Sequence, residues 1–504
     1  MFKNHPKGLL SASLANMGER FGFYTMIAIL ALFLQSKFGL TGTAAATIYS
    51  IFYAMLLGLS LVGGLIADKT RNYKNTILIG IFVMAAGYGL LSIPSMSTGT
   101  GGLIFACFAL LTIAFGNGLF KGNLQAVVGQ MYDNEKYGKY RDAGFSMFYM
   151  FINLGAFFSP WVAMGVRNWW LKANGFLYNA NLPALCHQQL NGTITAQGTE
   201  NLNRLATEVS QGAPVADLSA FSTQYLDVFT TGFHYAFLIV IISMFVSAAI
   251  YLMNRKGYPD PKDKVAKEAQ TAVAEMPVAE VRQRIWALMA VFSVVIFFWF
   301  SFNQSGLSLT YFARDYVDLT IFGVPVSVET LQAFNPLFVI ILTPVILTFF
   351  GWLRSKGKEP SAPKKIAIGM AIAASAFAFL AIMSNISGLP AFKELMSDHG
   401  GVSPAKVSIF VLIGTYFIVT IAELFISPLG ISFVSKVAPP KLQGMMQGGW
   451  LAASGIGNFL LFIGVIFYEN LSQTATWLLF TSVCLISMFT MIFMLKWLER
   501  VSKK

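Results

Sequence analysis

Long apolar runs separated by short charged segments make up most of the chain. A helix needs about 20 mostly apolar residues to cross the hydrocarbon core of a bilayer. The first run continues past Leu34 without a small-residue cleavage site, so we interpret it as a membrane span and not as a signal peptide. The pattern predicts twelve spans, numbered in chain order, at residues 12–35, 44–66, 75–94, 102–128, 143–166, 233–253, 284–311, 330–352, 365–387, 404–431, 441–467 and 473–496.

Basic residues lie mainly in every second segment between these runs, and this bias predicts the orientation. If the N-terminus is cytoplasmic, 26 of the 35 Lys and Arg residues lie on the cytoplasmic side and seven lie outside. Short cytoplasmic loops carry an excess of Lys and Arg, so we predict a multi-pass protein of the cell (inner) membrane with both termini cytoplasmic. The formal net charge of +12 does not indicate a nucleic-acid partner, because the basic residues are spread over many loops instead of forming one face.

The longest cytoplasmic loop, residues 254–283, separates six spans from six. It is charged and interrupted by prolines, which predicts a solvated linker with one short amphipathic helix. We therefore predict two six-helix bundles, residues 1–253 and 284–504, the layout of transporters built from two halves. A second long segment, residues 167–232, is polar and is predicted to be an extracytoplasmic loop, to which the sequence assigns no role.

Composition supports an all-α integral membrane protein. The 504 residues are 56% hydrophobic and 12% charged, which is too apolar for a soluble globular domain. Three widely spaced cysteines support neither a disulfide framework nor a metal cluster, and the four histidines lie in tails, in loops or at a membrane boundary. We find no nucleophilic or metal-binding constellation, so we predict that the protein is not an enzyme and uses no metal or organic cofactor.

Four charged residues interrupt the apolar spans: Glu19, Arg20, Lys121 and Glu423. Each charge near the bilayer centre costs about 2.5–3.5 kcal/mol on insertion scales, so four cost on the order of 10 kcal/mol unless they are paired or hydrated. Lys121 and Glu423 each lie about 19 residues into predicted spans 4 and 10, which are counterparts in the two halves. We therefore expect them at similar depth, facing each other across a central cavity.

Such a cavity is positive on its N-terminal side and negative on its C-terminal side, which suits a zwitterion such as a small peptide. Arg20 and Lys121 would bind the carboxylate, and Glu423 would bind the ammonium group. Ligand pockets combine aromatic walls with a few polar groups, which adds as candidates Tyr24, Asn153, Trp299, Asn335 and Trp450.

A purely structural interpretation of these residues stays open. The intramembrane charges can be salt bridges that only set helix packing, with Glu19 present to neutralise Arg20. The aromatic candidates can be packing residues, and Asn153 can form a hydrogen bond between helices.

Several motifs along the chain resemble those of the proton-dependent oligopeptide transporter (POT) family of the major facilitator superfamily. They are "GERFGFYTM" in span 1, "FGNGLFKGNLQAVVGQMY" in span 4, "DAGFSMFYMFINLGAFFSP" in span 5, "FFWFSFNQSGLSLTYFA" in span 7, "LQAFNPLFVIILTP" in span 8 and "ELFISPLGISFVSKVAPPKLQGMMQGGWLAASGIGN" across spans 10 and 11. The resemblance implies the major facilitator fold and import of di- and tripeptides by alternating access, driven by protons. We also expect a functional monomer.

The same resemblance assigns roles to individual residues. Arg20 and Lys121 match the family's residues for carboxylate binding and coupling, and Glu423 matches the glutamate that receives the peptide amino group. Asn153 and Asn335 match polar peptide contacts. Glu19, beside Arg20, is the other titratable group left for coupling, with Lys121 and Glu423 as the candidate switch pair.

Four positions depart from the family pattern. Asn16 replaces the first glutamate of the span 1 motif, Phe23 replaces its first tyrosine, and Asn303 replaces the acidic residue of span 7; Leu57 stands where a pocket tyrosine is usual. An amide cannot take up a proton near physiological pH, so substrate recognition is expected to survive while proton coupling is in doubt. Alternatives are an uncoupled or differently coupled carrier of a modified peptide or another small anion or zwitterion, and, on weaker grounds, a drug exporter.

Overall fold

The computed structural model describes residues 5–70, 72–94, 97–132, 135–137, 141–259, 277–398, 403–439 and 443–503. Within these residues, twelve helical segments are long and apolar enough to cross a membrane. The predicted number of spans and the all-α membrane architecture are confirmed. The amphipathic helix predicted for the linker falls largely on residues 260–276, which lie outside the described residues.

The spans are long helices, two of which are interrupted. Spans 1 to 6 are Lys7–Phe38, Gly42–Thr70, Tyr73–Leu91, Thr100–Gln130, Arg141–Ala173 and Leu218–Asn254. Spans 7 to 12 are Val278–Phe302 with Ser308–Tyr316, Phe334–Ser355, Ala362–Ile386, Ile409–Val437, Gln443–Phe459 with Leu461–Asn470, and Gln473–Lys503.

Short elements connect the spans. They are the helices Leu182–Leu190, Ala196–Val209 and Phe392–Ser397, the 3₁₀ turns Arg255–Gly257, Asn303–Gly306 and Val328–Ala333, and four two-residue strands. Strand Val317–Asp318 pairs in parallel with Val407–Ser408, and Thr320–Ile321 pairs antiparallel with Val324–Pro325. We call the face at which span 1 begins and span 12 ends the proximal face and the opposite one the distal face.

The spans form two bundles that meet along two seams. Spans 1 to 6 pack among themselves, as do spans 7 to 12, while span 2 packs against span 11 and span 5 packs against span 8. Lipid supplies no hydrophobic force between helices, so close packing depends on small residues that let backbones approach. A Cβ atom on Gly63 of span 2 would lie 2.0 Å from the carbonyl oxygen of Gly118 in span 4, so no larger residue fits there.

The distal segment between spans 5 and 6 is largely helical, which corrects the loop predicted at residues 167–232. Span 5 continues to Ala173, and span 6 begins at Leu218, fifteen residues before the predicted start. Two helices lie between them and form what we call the distal hairpin, residues 174–217. The sequence did not indicate these helices because most of their residues are polar. The second helix buries only a narrow face, formed by Gly198, Leu202, Ala206 and Val209.

Spans 7 and 11 are interrupted where the sequence predicts continuous helices. Span 7 contains the 3₁₀ turn Asn303–Gly306, and span 11 breaks at Leu460. Gln304, within the first break, donates from Nε2 to the carbonyl oxygens of Phe300 at 3.2 Å and Leu461 at 3.3 Å. Broken helices are tolerated at membrane depth when protein groups satisfy the freed backbone, and this buried glutamine does so for both spans.

Candidate substrate-binding site

The N-terminal bundle places a compact charged network between spans 1 and 4. Arg20 donates from Nε to Glu19 Oε2 at 2.5 Å and from Nη2 to Glu19 Oε1 at 2.6 Å. Asn117, on span 4, donates to Glu19 Oε1 at 2.7 Å, and the guanidinium carbon of Arg20 lies 4.7 Å from the centre of the Phe23 ring. Glu19 and Arg20 are both almost fully buried. Because Glu19 binds Arg20 through two hydrogen bonds, the pair carries no net charge.

Lys121 follows Asn117 by four residues and therefore lies on the same face of span 4. Its side chain is half-buried. No hydrogen bond or carboxylate within ion-pair distance is found for it in the part of the chain that the structure describes. Lys121 is thus the basic group on the N-terminal side of the site that has no carboxylate partner within the described residues.

The C-terminal bundle contributes one buried carboxylate, that of Glu423 on span 10. Its Oε1 accepts a hydrogen bond from the Tyr149 hydroxyl at 2.7 Å, and its Oε2 accepts one from Asn335 Nδ2 at 2.9 Å. The same Asn335 nitrogen also donates to Thr420 Oγ1 at 2.9 Å. Both partners of Glu423 are neutral, so its negative charge has hydrogen bonds but no cation within the described residues.

The charged group of the N-terminal bundle (Glu19, Arg20 and Lys121) and Glu423 of the C-terminal bundle are the two charged poles of the site. Arg20 and Glu423 share aromatic neighbours. The side chains of Tyr24 on span 1 and Tyr53 on span 2 lie close enough to both Arg20 and Glu423 to feel the charge of each. Tyr149 belongs to span 5 of the N-terminal bundle, so its bond to Glu423 joins the two bundles directly. The predicted switch pair does not form an ion pair: within the described residues, Glu423 contacts a tyrosine of the opposite bundle instead of Lys121.

The other candidates differ in how accessible they are. Trp299 is half-buried, and its buried indole nitrogen finds no hydrogen-bond partner among the described residues. Trp450 is 3% exposed and lies against Gly430, where a Cβ atom would stand 2.0 Å from the indole ring. Asn153 donates to the carbonyl oxygen of Tyr149 at 3.1 Å, within its own helix. This geometry favours packing for Trp450, while the half-buried Trp299 keeps an unused donor.

The four residues that depart from the family pattern lie in different parts of the structure. Asn303 donates to Asn458 Oδ1 at 2.5 Å, so two amides pair where spans 7 and 11 are interrupted. Leu57 is buried against span 11, where a Cβ atom placed on Gly455 would stand 3.4 Å from the Cβ atom of Leu57. Phe23 packs beneath Arg20, and Asn16 is buried one helical turn before Glu19.

Sequence reasoning missed three residues of this site: Asn117, Tyr149 and Tyr53. Asn117 and Tyr149 do lie inside the quoted motifs of spans 4 and 5. An asparagine one turn before an intramembrane lysine was an available signal for the first, since residues four apart share a helix face. The two tyrosines gave no comparable signal, because tyrosine is common in apolar helices for packing alone.

Comparison with known proteins identifies the family. A family model described as "POT family" matches residues 74–279 and 262–478. Dipeptide and tripeptide permease A of Escherichia coli (strain K12) is 28% identical over 476 residues, covering 90% of this chain and 83% of that protein. The protein of the same name from Proteus mirabilis (strain HI4320) is 29% identical over 448 residues, covering 86% and 81%.

Solved structures show the same fold. The crystal structure of a peptide transporter POT in complex with sulfate is similar with a TM-score of 0.71 at 24% identity, covering 99% of this chain and 96% of that chain. A POT family transporter in complex with 5-aminolevulinic acid is similar with a TM-score of 0.69 at 21% identity, covering 99% and 98%. The chain therefore belongs to the POT family, a family of membrane transporters for peptides and not of enzymes.

Proposed function

We propose that the protein imports di- and tripeptides across the cell (inner) membrane by alternating access around the site between its bundles. One observation carries this proposal: Lys121 lacks an anion, and Glu423 lacks a cation, on opposite bundles within the described residues of one molecule. A peptide zwitterion supplies both missing charges. The names of the dipeptide and tripeptide permeases that resemble the chain support the same substrate class.

The placement of the bundle contacts supports alternating access. At the distal face, Thr43 Oγ1 donates to Glu469 Oε2 at 2.8 Å, and Gln35 Nε2 donates to the Tyr311 hydroxyl at 3.4 Å. We call these four residues the distal gate. In this structure the distal gate is closed, and rocking of one bundle against the other would break it and expose the site to the opposite side.

The orientation and the oligomeric state follow from the same proposal. Because 26 of the 35 basic residues belong to segments that the sequence assigns to the cytoplasmic side, we place the proximal face in the cytoplasm, with the distal gate facing outward. One chain contains both charged poles, so a monomer is sufficient for transport. Labelling of single exposed cysteines in intact cells with an impermeant reagent tests the orientation, since only distal positions should react.

Protons are the proposed coupling ion, acting through Glu19 or Glu423. One charge moving through 100 mV gains about 2.3 kcal/mol, enough for about 50-fold accumulation of a neutral zwitterion. The test is dipeptide uptake into proteoliposomes with and without an inward proton gradient. A higher plateau with the gradient is expected; equal plateaus exclude symport and leave facilitated diffusion.

A second candidate, a differently coupled carrier of another small zwitterion, is favoured by the amides at Asn16 and Asn303. A structurally similar POT transporter has been solved with 5-aminolevulinic acid, which is not a peptide. A binding panel of dipeptides, tripeptides and single zwitterions, measured by thermal shift on the purified protein, separates the candidates. If only non-peptide zwitterions bind, the peptide proposal is wrong while the two-pole site is retained.

A further inference from the structure

The distal hairpin contacts the end of span 1 at one well-defined point. His187 Nε2 donates to the carbonyl oxygen of Ser36 at 2.7 Å. The imidazole ring also lies against Gly39, where a Cβ atom would stand 3.1 Å from Nδ1. Gly39 ends span 1 in the left-handed conformation at φ +64, and its amide donates to the carbonyl oxygen of Gln35 at 2.9 Å. A side chain at residue 39 would be strained by its backbone and crowded by the imidazole.

The hairpin is itself anchored to span 6 and is not a loose loop. Leu177 donates its amide to the carbonyl oxygen of Val209 at 2.8 Å, which joins the two ends of the hairpin. The Tyr225 hydroxyl of span 6 donates to the carbonyl oxygen of Leu177 at 3.2 Å. The ring of Phe176 packs against those of Phe221 and Tyr225 at 5.8 and 5.5 Å between centroids. His187 therefore presents a fixed donor to span 1.

The segment that His187 touches leads directly into the distal gate. The carbonyl oxygen of Gln35 accepts the hydrogen bond from the Gly39 amide, and Nε2 of the same residue donates to the Tyr311 hydroxyl. Four residues after Gly39, Thr43 donates to Glu469. The turn between spans 1 and 2 is thus held by the hairpin on one side and by the C-terminal bundle on the other.

We propose that His187 is a positioning residue for the distal gate, and that the distal hairpin serves to order the turn between spans 1 and 2. The proposal rests on the alternating access stated above. Without the Ser36 contact, the turn gains freedom that it must lose each time the gate closes, so the closed state becomes less populated. His187 acts through Gln35 and Thr43 and does not touch the substrate site.

The test measures gate opening in the absence of peptide. Nitroxide labels at Thr98 and Lys393, exposed distal positions of the two bundles, report the distance between the bundles by electron spin resonance, with half-buried Cys107 replaced by serine. Removing one hydrogen bond should raise the open population about 2- to 10-fold in His187→Ala. His187→Gln, whose amide nitrogen can reach the same acceptor, should restore the wild-type distribution.

Two controls separate gate positioning from general stability. Gln189→Ala removes a hairpin side chain that donates to Ser219 of span 6 and not to span 1, and it should leave the distribution unchanged. A label pair at Thr98 and Lys69, exposed positions within one bundle, should be unaffected by every variant. An unchanged distance in His187→Ala overturns the proposal. So does an equal shift in Gln189→Ala, a change within the single bundle, or failure of His187→Gln to rescue. None of these outcomes depends on the peptide proposal, because no peptide is present.

Discussion

Replacing Lys121 by glutamine should weaken substrate binding without weakening the fold. In most proteins, loss of a buried charge destabilises the structure because a partner charge is left behind. In the described residues, no carboxylate lies within ion-pair distance of Lys121, and the neighbouring Glu19 is hydrogen-bonded to Arg20. Glutamine keeps similar length and polarity while removing a charge that costs about 2.5–3.5 kcal/mol near the bilayer centre. The unfolding temperature of Lys121→Gln should therefore equal or exceed that of the wild type.

The expected loss of affinity follows from the single contact removed. A hydrogen bond to a charged group contributes about 1.5–3 kcal/mol, which corresponds to about 10- to 150-fold in Kd. Isothermal titration with a dipeptide measures this change on the purified protein. The matched ligand is the same dipeptide with a C-terminal amide, which has no carboxylate for Lys121 to bind. The amidated dipeptide should bind the wild-type protein and Lys121→Gln with similar affinity.

Two results would refute this reasoning. If Lys121→Gln unfolds at a clearly lower temperature, the lysine is a structural residue with a partner, and the uncompensated charge does not exist. If the carboxylate and amide ligands lose affinity equally, the lysine contributes to the general shape or field of the cavity and does not recognise the peptide C-terminus.

Three further variants test the other parts of the site and the packing. Glu19→Gln should lower stability by about 3–5 kcal/mol, because it leaves a buried guanidinium without its carboxylate; thermal unfolding measures this, and stability equal to wild type contradicts the pairing. Glu423→Gln should abolish the preference for a dipeptide over its N-acetyl derivative in a binding assay, a loss of about 10- to 150-fold, whereas a retained preference places the ammonium elsewhere. Gly63→Ala should destabilise by about 1–3 kcal/mol because the methyl group would overlap the backbone of Gly118, while Gly58→Ala on the same span, where nothing lies within 4 Å, should be tolerated.

The membrane architecture could be predicted because it depends on local composition. Apolar length gives the number of spans, and each of the twelve predicted runs overlaps a helix of the structure. The four intramembrane charged residues could be identified for the same reason, because a charge within an apolar run is unfavourable whichever helices pack around it. The adjacency of Glu19 and Arg20 already suggested that they neutralise each other, and the structure has them paired.

The partners of Glu423 could not be predicted in the same way. Which groups meet that carboxylate depends on the rotation and tilt of spans 5, 8 and 10, and residues 149, 335 and 423 are far apart in sequence. Counting residues from predicted helix ends is too coarse for this, because span 4 begins two residues earlier and span 10 five residues later than predicted. That Glu423 faces Lys121 across the site stays a prediction, while the hydrogen bond from a tyrosine hydroxyl of the opposite bundle to its carboxylate was not predicted.

The same contacts bear on the proposed proton coupling, for which Asn16 and Asn303 offer amides where the family resemblance implies carboxylates. Adding a proton to Glu19 would take the anionic partner from Arg20 and break two charge-assisted hydrogen bonds. Adding one to Glu423 would separate no ion pair, because Tyr149 and Asn335 are neutral donors. It would, however, remove the charge that holds a peptide ammonium group and weaken a contact that joins the bundles. If transport is proton-coupled as proposed, Glu423 is the group at which a proton would both release the substrate and loosen the bundles, whereas a proton on Glu19 would only separate the pair with Arg20.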